Sequence, residues 1–325
     1  SKVISRFPSY HGCTLGALDL TGYDPLRAPF DPMMKGMPSI PAPATYLDRD
    51  NLSEEARGLK YAEMLRDKII EEGPETVLAF LMEPVGGAST GALVAPDSYY
   101  GRIREICDEF GVLLIYDEVM TGAGRTGKFL AAEHWGITPD IVAMSKGFGA
   151  GYAPLGAIVA GARLVEPVLD AGGFLHGFTY AGNPLACSAG LAVLEEMEDQ
   201  GLIENAAKMG EVLMARLCGL MERYPFIGDV RGKGLLTAFE FVSDRESMEP
   251  LPPSLEAHAR LVELAYERGL IIYSRRTRGG TAGDHFLLAP PLIITEAQID
   301  EMMTILCAAL DAFAAETGLH VEGAR

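Results

Sequence analysis

Two stretches of this sequence place reactive side chains where a fold can hold them. The apolar run Val112–Tyr116 ends in two carboxylates, Asp117 and Glu118. A second apolar run, Ile141–Met144, ends in Ser145–Lys146, and glycine-rich backbone follows as far as Gly156. Short continuous apolar runs read as buried strands, and in an open parallel sheet ligands bind beyond the carboxyl ends of the strands. An acid at such an end can be held in one pose against a ligand, although alone it reads equally well as a solvated loop carboxylate. A lysine leaving a buried strand loses hydration, which lowers its pKa from about 10.4 toward the range where the amine is a nucleophile. Alone, it reads equally well as a side chain snorkelling out of the core.

Together the two are more specific, because the lysine and the carboxylate each end a strand and stand one strand–helix unit apart. Pyridoxal phosphate (PLP) chemistry needs this arrangement. Lysine holds the cofactor as an imine, and an acid keeps the pyridine nitrogen protonated so that the ring accepts electrons. The freed lysine then carries the substrate proton.

The elements that would position this pair alternate strand and helix over residues 1 to about 200. Lys2–Arg6, Val77–Met82, Val112–Tyr116, Ile141–Met144 and Leu155–Ala160 read as strands. Tyr99–Phe110, Phe129–Trp135 and Leu185–Met197 read as helices, the last with Pro184 at its start. Alternation of this kind predicts an α/β fold with a mostly parallel sheet. Residues 20–45, rich in Pro, Gly and Met, read as a long surface excursion. From about residue 200 the pattern becomes a smaller α+β unit: helices over Leu202–Arg223, Leu255–Arg268 and Glu296–Ala315, the last with Thr295 as N-cap. Its strands are expected at Ile227–Val230, Leu235–Phe241, Leu270–Tyr273 and Phe286–Ala289. Residues 1–200 are thus expected to form a large, N-terminally incomplete domain and 201–325 a small one.

Composition narrows the partners. The 325 residues carry a formal net charge of -18, which disfavours nucleic acid and anionic membranes. No run approaches a membrane span. Cys13, Cys107, Cys187, Cys218 and Cys307 are scattered, so neither a zinc site nor a disulfide framework is expected, and a cytoplasmic location is. The chain opens on Ser1 rather than Met, with a strand beginning at once, and reads as starting inside a fold.

The stretch Asp117–Phe129, followed by His134–Ala157, resembles the class III aminotransferases, the ω-transaminase branch of PLP fold-type I. The similarity extends through Ser9–Ala17, Glu83–Ala88, His176–Leu191 and Ala289–Thr295. The resemblance implies a fold-type I large domain with a C-terminal small domain, PLP as cofactor and a homodimer or higher oligomer with a shared site. It implies Lys146 as the Schiff-base lysine and Asp117 as partner of the pyridine nitrogen. Val119 would pack on one ring face and Tyr10 on the other, with His11 and Gly12 beside it and Glu83 on the cofactor side. Phe178 and Thr179 match the pair that a neighbouring subunit offers to the cofactor phosphate. The family's glycine-serine phosphate-binding turn would lie upstream of Ser9–Gly12, outside this sequence.

Two departures bear on substrate. Where the ornithine and 4-aminobutyrate branch has an arginine-masking glutamate, this chain has Ala88, and together with Gly151–Pro154 it resembles enzymes that pass amines or ω-amino acids to pyruvate. Tyr152 would line the pocket. The family's mobile arginine, which grips the substrate carboxylate, falls at Gly280–Thr281, leaving Arg275, Arg276 and Arg278 as the candidates. The expected reaction is amino transfer from an amine or ω-amino acid to a keto acid, pyruvate foremost. An aminomutase, a decarboxylase and an inactive homologue stand as alternatives. Gly122–Gly127 matches GxGxxG, but no helix opens directly after the strand and no acid follows at the needed spacing. The same stretch also fails as a phosphate-binding P-loop, with Phe129 where a hydroxyl is required.

Overall fold

The computed structural model describes residues 1–323. Its first sheet runs β2–β1–β3–β4–β5–β6, from β1 (Lys2–Phe7), β2 (Ser39–Pro41), β3 (Val77–Met82), β4 (Leu113–Asp117), β5 (Ile141–Met144) and β6 (Ala157–Ala160). Every neighbouring pair is parallel except β5–β6. The fold is therefore α/β with a mostly parallel sheet. Two short helices, α1 (Leu15–Leu20) and α2 (Asp24–Arg27), follow β1.

One face of this sheet is covered by α3 (Glu54–Glu72) and α4 (Asp97–Phe110). Ser53 caps α3 by accepting the Ala56 N–H. Tyr99, Tyr100, Ile103, Ile106 and Cys107 recur along α4 at helical spacing and meet Phe80, Leu114 and Tyr116 from the strands. Each large apolar side chain fully buried there contributes about 1.5–3 kcal/mol. These contacts hold β3 and β4 in register, so that their carboxyl ends lie side by side. The edge strand β6 leads into α5 (Ala162–Asp170) and then α6 (Pro184–Asp199).

The second sheet is antiparallel, in the order β7–β8–β10–β9, from β7 (Ile227–Lys233), β8 (Leu236–Phe241), β9 (Tyr273–Arg278) and β10 (Ala282–Leu288). It packs on α7 (Leu202–Arg223), α8 (Ala257–Glu267) and α9 (Glu296–Thr317) around Phe226, Phe239, Phe241, Phe286 and Phe313. We propose a domain divide near residue 200, because one core draws on residues 4–132 and the other on residues 206–314. Thr295 and Gln298 form a reciprocal cap at the start of α9. Thr295→Ala is expected to cost about 1 kcal/mol, read as a lower denaturant midpoint with unchanged slope.

Three expectations change. The strand expected at Leu270–Tyr273 begins only at Tyr273 and carries the arginines, because Gly269 (φ 87°) turns the chain after α8 and Leu270–Ile272 bridge to the sheet. Phe129–Trp135 is a single 3-10 stretch from Ala131, its first amides held by the Glu118 carboxylate. The 20–45 excursion returns to the sheet as β2. The Asp19 carboxylate gathers the N–H groups of Lys35, Gly36 and Met37 just before it.

Candidate active site

Parallel β1, β3, β4 and β5 deliver Ser9–Gly12, Glu83, Asp117 and Lys146 to one edge of the sheet. In the β4–β5 register Asp117 stands opposite Ala143, three residues before Lys146. Lys146 itself has φ 44°. For a residue with a Cβ this left-handed conformation costs about 1 kcal/mol or more, and such strain gathers at functional positions. The residue opens into a cavity of about 1170 Å³ walled by Gly122, Ala123, Gly147, Tyr152 and Leu292. Burial of its amine lowers the pKa below the usual lysine value, and the charges of Asp117 and Glu83 oppose that shift.

The two acids ending β4 have separate tasks. The Glu118 carboxylate accepts the amides of Ala131 and Ala132 and the Thr121 hydroxyl, which makes it structural. Asp117 accepts the Val119 N–H on Oδ1 at 3.1 Å, and its Oδ2 lies 2.8 Å from Nδ1 of His11. With the proton on Nδ1, the imidazole donates to the carboxylate and fixes its plane. The His11 side chain is itself only 2% exposed. Its loop is shaped by Gly12 (φ 131°) and by Thr21, whose hydroxyl accepts the His11 N–H. Tyr10, next to His11 in the chain, is 37% exposed.

The outer residues are less gathered. Ala88 is half-buried beyond Glu83, and Tyr152 stands 86% exposed on the cavity rim. Among the three arginines, Arg276 is tied to Asp284 at 3.0 Å and Arg278 donates to the Met248 carbonyl. Arg275 is committed to no carboxylate among the described residues. It lies 5.0 Å over the Tyr273 ring. Burial, with Cys13 and Tyr273 nearby, raises the Tyr10 hydroxyl above its ordinary range while the Arg275 charge pulls the other way. Phe178 and Thr179 lie exposed in the loop before α6, away from the cavity wall.

Sequence reading did not single out Met120, Ala123 or Leu292 as cavity wall, nor the His11–Asp117 bond. Small residues directly after an acid-ended strand were the available signal for Ala123. The Gly122–Gly127 turn is used for packing. A Cβ on Gly127 would come within 2.8 Å of Ala207, and one on Gly124 within 3.0 Å of Met197.

The residues fit PLP at its ring end. A partly desolvated lysine and a buried, oriented carboxylate stand on adjacent strands, and small residues leave room for a flat ligand.

Comparison with known proteins agrees with this geometry. The family model described as aminotransferase class-III matches residues 1–310. An uncharacterized aminotransferase of Bacillus subtilis (strain 168) is 39% identical, over 94% of this chain and 69% of its own length. The putrescine–pyruvate aminotransferase of Pseudomonas aeruginosa is 34% identical, over 96% of this chain and 67% of its own. The diaminobutyrate–2-oxoglutarate transaminase of Halomonas elongata is 36% identical, over 93% and 65%. Among solved structures, a thermostable (S)-enantioselective ω-transaminase from Thermomicrobium roseum superposes with TM-score 0.90 at 38% identity, over 96% of this chain and 68% of that one. An amine transaminase from an uncultivated Pseudomonas species in its PLP-bound form gives TM-score 0.87 at 36% identity, over 96% and 69%.

Proposed function

The chain belongs to the class III aminotransferases, PLP-dependent enzymes, and from that premise we propose that it moves an amino group from an amine or ω-amino acid to pyruvate. The observation that carries the reading is the pairing of Lys146 with a His11-anchored Asp117 at the ends of adjacent parallel strands.

Bound PLP supplies a ring that withdraws electrons from the carbon bearing the amine. Asp117 would hold the proton on the ring nitrogen, and the His11 N–H keeps that carboxylate aimed. Lys146 would anchor the cofactor and, once freed, would move the proton at the donor carbon. Its lowered pKa supports the second task, since a free amine must be available to accept that proton. Val119 and Tyr10 bound the ring on its two faces.

Ala88 supports pyruvate, because a small neutral side chain there leaves a guanidinium free to meet a monocarboxylate. Arg275 is our choice for that guanidinium, because Arg276 is paired with Asp284 and Arg278 is held by the Met248 carbonyl. Arg275→Ala is expected to raise KM for pyruvate about 10- to 100-fold, the loss of a charge-assisted pair, while KM for an amine donor without a carboxylate stays put. An equal effect on both substrates would count against this role.

A shared site in a homodimer is supported by the apolar surface on and before α6. Phe174, Leu175, Phe178, Tyr180, Leu185 and Leu191 are all exposed in one chain, a larger run of apolar groups than a monomer ordinarily shows water. A second copy of the chain would cover it and bring Phe178 and Thr179 to the cofactor phosphate. The cysteines stand apart as free thiols, which suits a reducing compartment such as the cytoplasm. Among the described residues no helix is long and apolar enough to cross a membrane.

The test is a half-reaction. The chain is loaded with PLP and given an amine donor, and the lysine-dependent absorption band is expected to collapse. It should then return on addition of pyruvate and return more slowly with 2-oxoglutarate. A band that never responds to donor would sink the transaminase reading, and preferential return with 2-oxoglutarate would sink the choice of acceptor.

A further inference from the structure

The cavity beside Lys146 is walled from both units: Met120, Gly122 and Ala123 belong to the large one, and Leu236, Ala289 and Leu292 to the small one. Its width therefore depends on how the two units are seated. Between them lies a small third core, Val85 and Ala92 from the loop after β3 against Leu236, Ala238 and Leu287 from β8 and β10, with Met120 packed on it. Beside that core is a charged network. Asp229 on β7, Glu240 on β8 and His285 on β10 stand in one rank across the sheet. Arg231, 9% exposed and on the same face of β7 as Asp229, donates from Nη1 to Asp229 at 2.6 Å and from Nη2 to Glu240 at 2.7 Å. The same Nη2 reaches across the divide and donates to the main-chain carbonyl of Thr90 at 3.0 Å. From the large unit Tyr46 donates its hydroxyl to Glu240 at 2.8 Å, and its ring centre lies 4.2 Å from the Arg231 guanidinium.

Thr90 belongs to a loop tied at its base. Val85 bridges to Val94, the Gly86 N–H donates to the Leu93 carbonyl at 2.7 Å, and the Gly87 carbonyl accepts the N–H groups of Thr90 and Ala92. Gly91, at φ 62°, leaves no room for a side chain, since a Cβ would come within 2.8 Å of Arg231 Nη2 and 2.7 Å of the His285 ring. The near side of the loop meets the cavity wall: a Cβ on Gly87 would come within 2.8 Å of the Met120 sulfur. Ala88 lies between these two contacts. A buried ion pair is often no more stabilising than apolar residues of the same volume, so its effect is to select one arrangement. We propose that Arg231 is a positioning residue: by holding the Thr90 carbonyl against the Asp229–Glu240 pair it fixes the loop 86–94, and with it the place of Ala88 and the width of the cavity. This deepens the proposed function and rests on its reading of Ala88 as an acceptor-side residue.

The experiment follows hydrogen–deuterium exchange in the full chain by peptide mass spectrometry. In the double variant Arg231→Met, Glu240→Gln the two charges leave together, so no lone buried charge unfolds the chain, and the new amide still accepts from Tyr46. The amides of 86–94 are expected to exchange about ten- to a hundredfold faster, the worth of a hydrogen bond from a charged donor, while α4 and α9 exchange as in wild type. KM for pyruvate should rise about tenfold with kcat within about twofold, because Lys146 and Asp117 stand on other strands. Arg231→Lys keeps a charge beside Glu240 and so guards the fold. One ammonium cannot replace the fork that reaches Asp229, Glu240 and Thr90 together, and the loop should loosen there too. Unchanged exchange of 86–94 in both variants, or an equal rise in α4 and α9, would overturn the proposal, and so would a loosened loop with an unaltered KM. Failure of the underlying reading is separately visible, as a wild-type chain that does not use pyruvate; the exchange of 86–94, read without cofactor or substrate, then decides alone.

Discussion

Lys146→Ala is expected to abolish the lysine-dependent absorption band with PLP and to lower turnover by about a thousandfold or more, the combined loss of a covalent anchor and a general base. Nothing else on the cavity wall can take over. Arg125 is the other cation there, and burial lowers its pKa only to about 10, so it stays protonated at neutral pH. Its Nη1 is also spent on the carbonyls of Leu235 and Pro290. The effect should not come from unfolding, because Lys146 borders an open cavity and alanine removes only the side chain that enters it. An unchanged melting temperature and partial rescue by a small added primary amine would separate lost chemistry from lost structure. Full activity in the alanine variant would end the scheme.

Asp117→Asn should be nearly as damaging and in a different way. Asparagine keeps the shape, and its Oδ1 can still accept the Val119 N–H. What disappears is the negative charge that holds a proton on the ring nitrogen. The expected loss is about a hundred- to ten-thousandfold in the rate of the proton-transfer step, seen in a single turnover with donor amine, while attachment of PLP to Lys146 persists. A variant whose single-turnover rate matches wild type would remove Asp117 from the ring nitrogen. A variant that no longer attaches PLP would mean that Asp117 serves mainly to position the cofactor. The contrast with Glu118 sharpens the test. Glu118→Gln touches the amides of Ala131 and Ala132 rather than the site, so its cost should appear in stability before it appears in rate.

Much of this was legible in the sequence because strand ends are legible. Val77–Met82 and Ile141–Met144 are short apolar runs stopped by polar residues, and the structure keeps their boundaries. Asp117 and Lys146 therefore fall at carboxyl ends where a parallel sheet presents ligands. The limits have physical causes. Leu270–Ile272 is as apolar as a strand but lies in a connection, while β9 is an edge strand that tolerates an exposed Arg275 and half-buried Arg276 and Arg278. The division of labour between Asp117 and Glu118 depends on which backbone amides fold over them, a long-range matter that adjacent letters do not carry. Likewise His11 lies 106 residues from Asp117 in the chain and meets it only because β1 and β4 flank β3.

The central claim is that Lys146 is the residue that carries the cofactor. It is tested most directly by incubating the chain with PLP, reducing with borohydride and locating the pyridoxyl group by peptide mass spectrometry. The account predicts one modification per chain, on the peptide containing Ser145–Lys146–Gly147, and none there in Lys146→Ala. Labelling spread over surface lysines such as Lys35 and Lys128, with Lys146 unmodified, would contradict it.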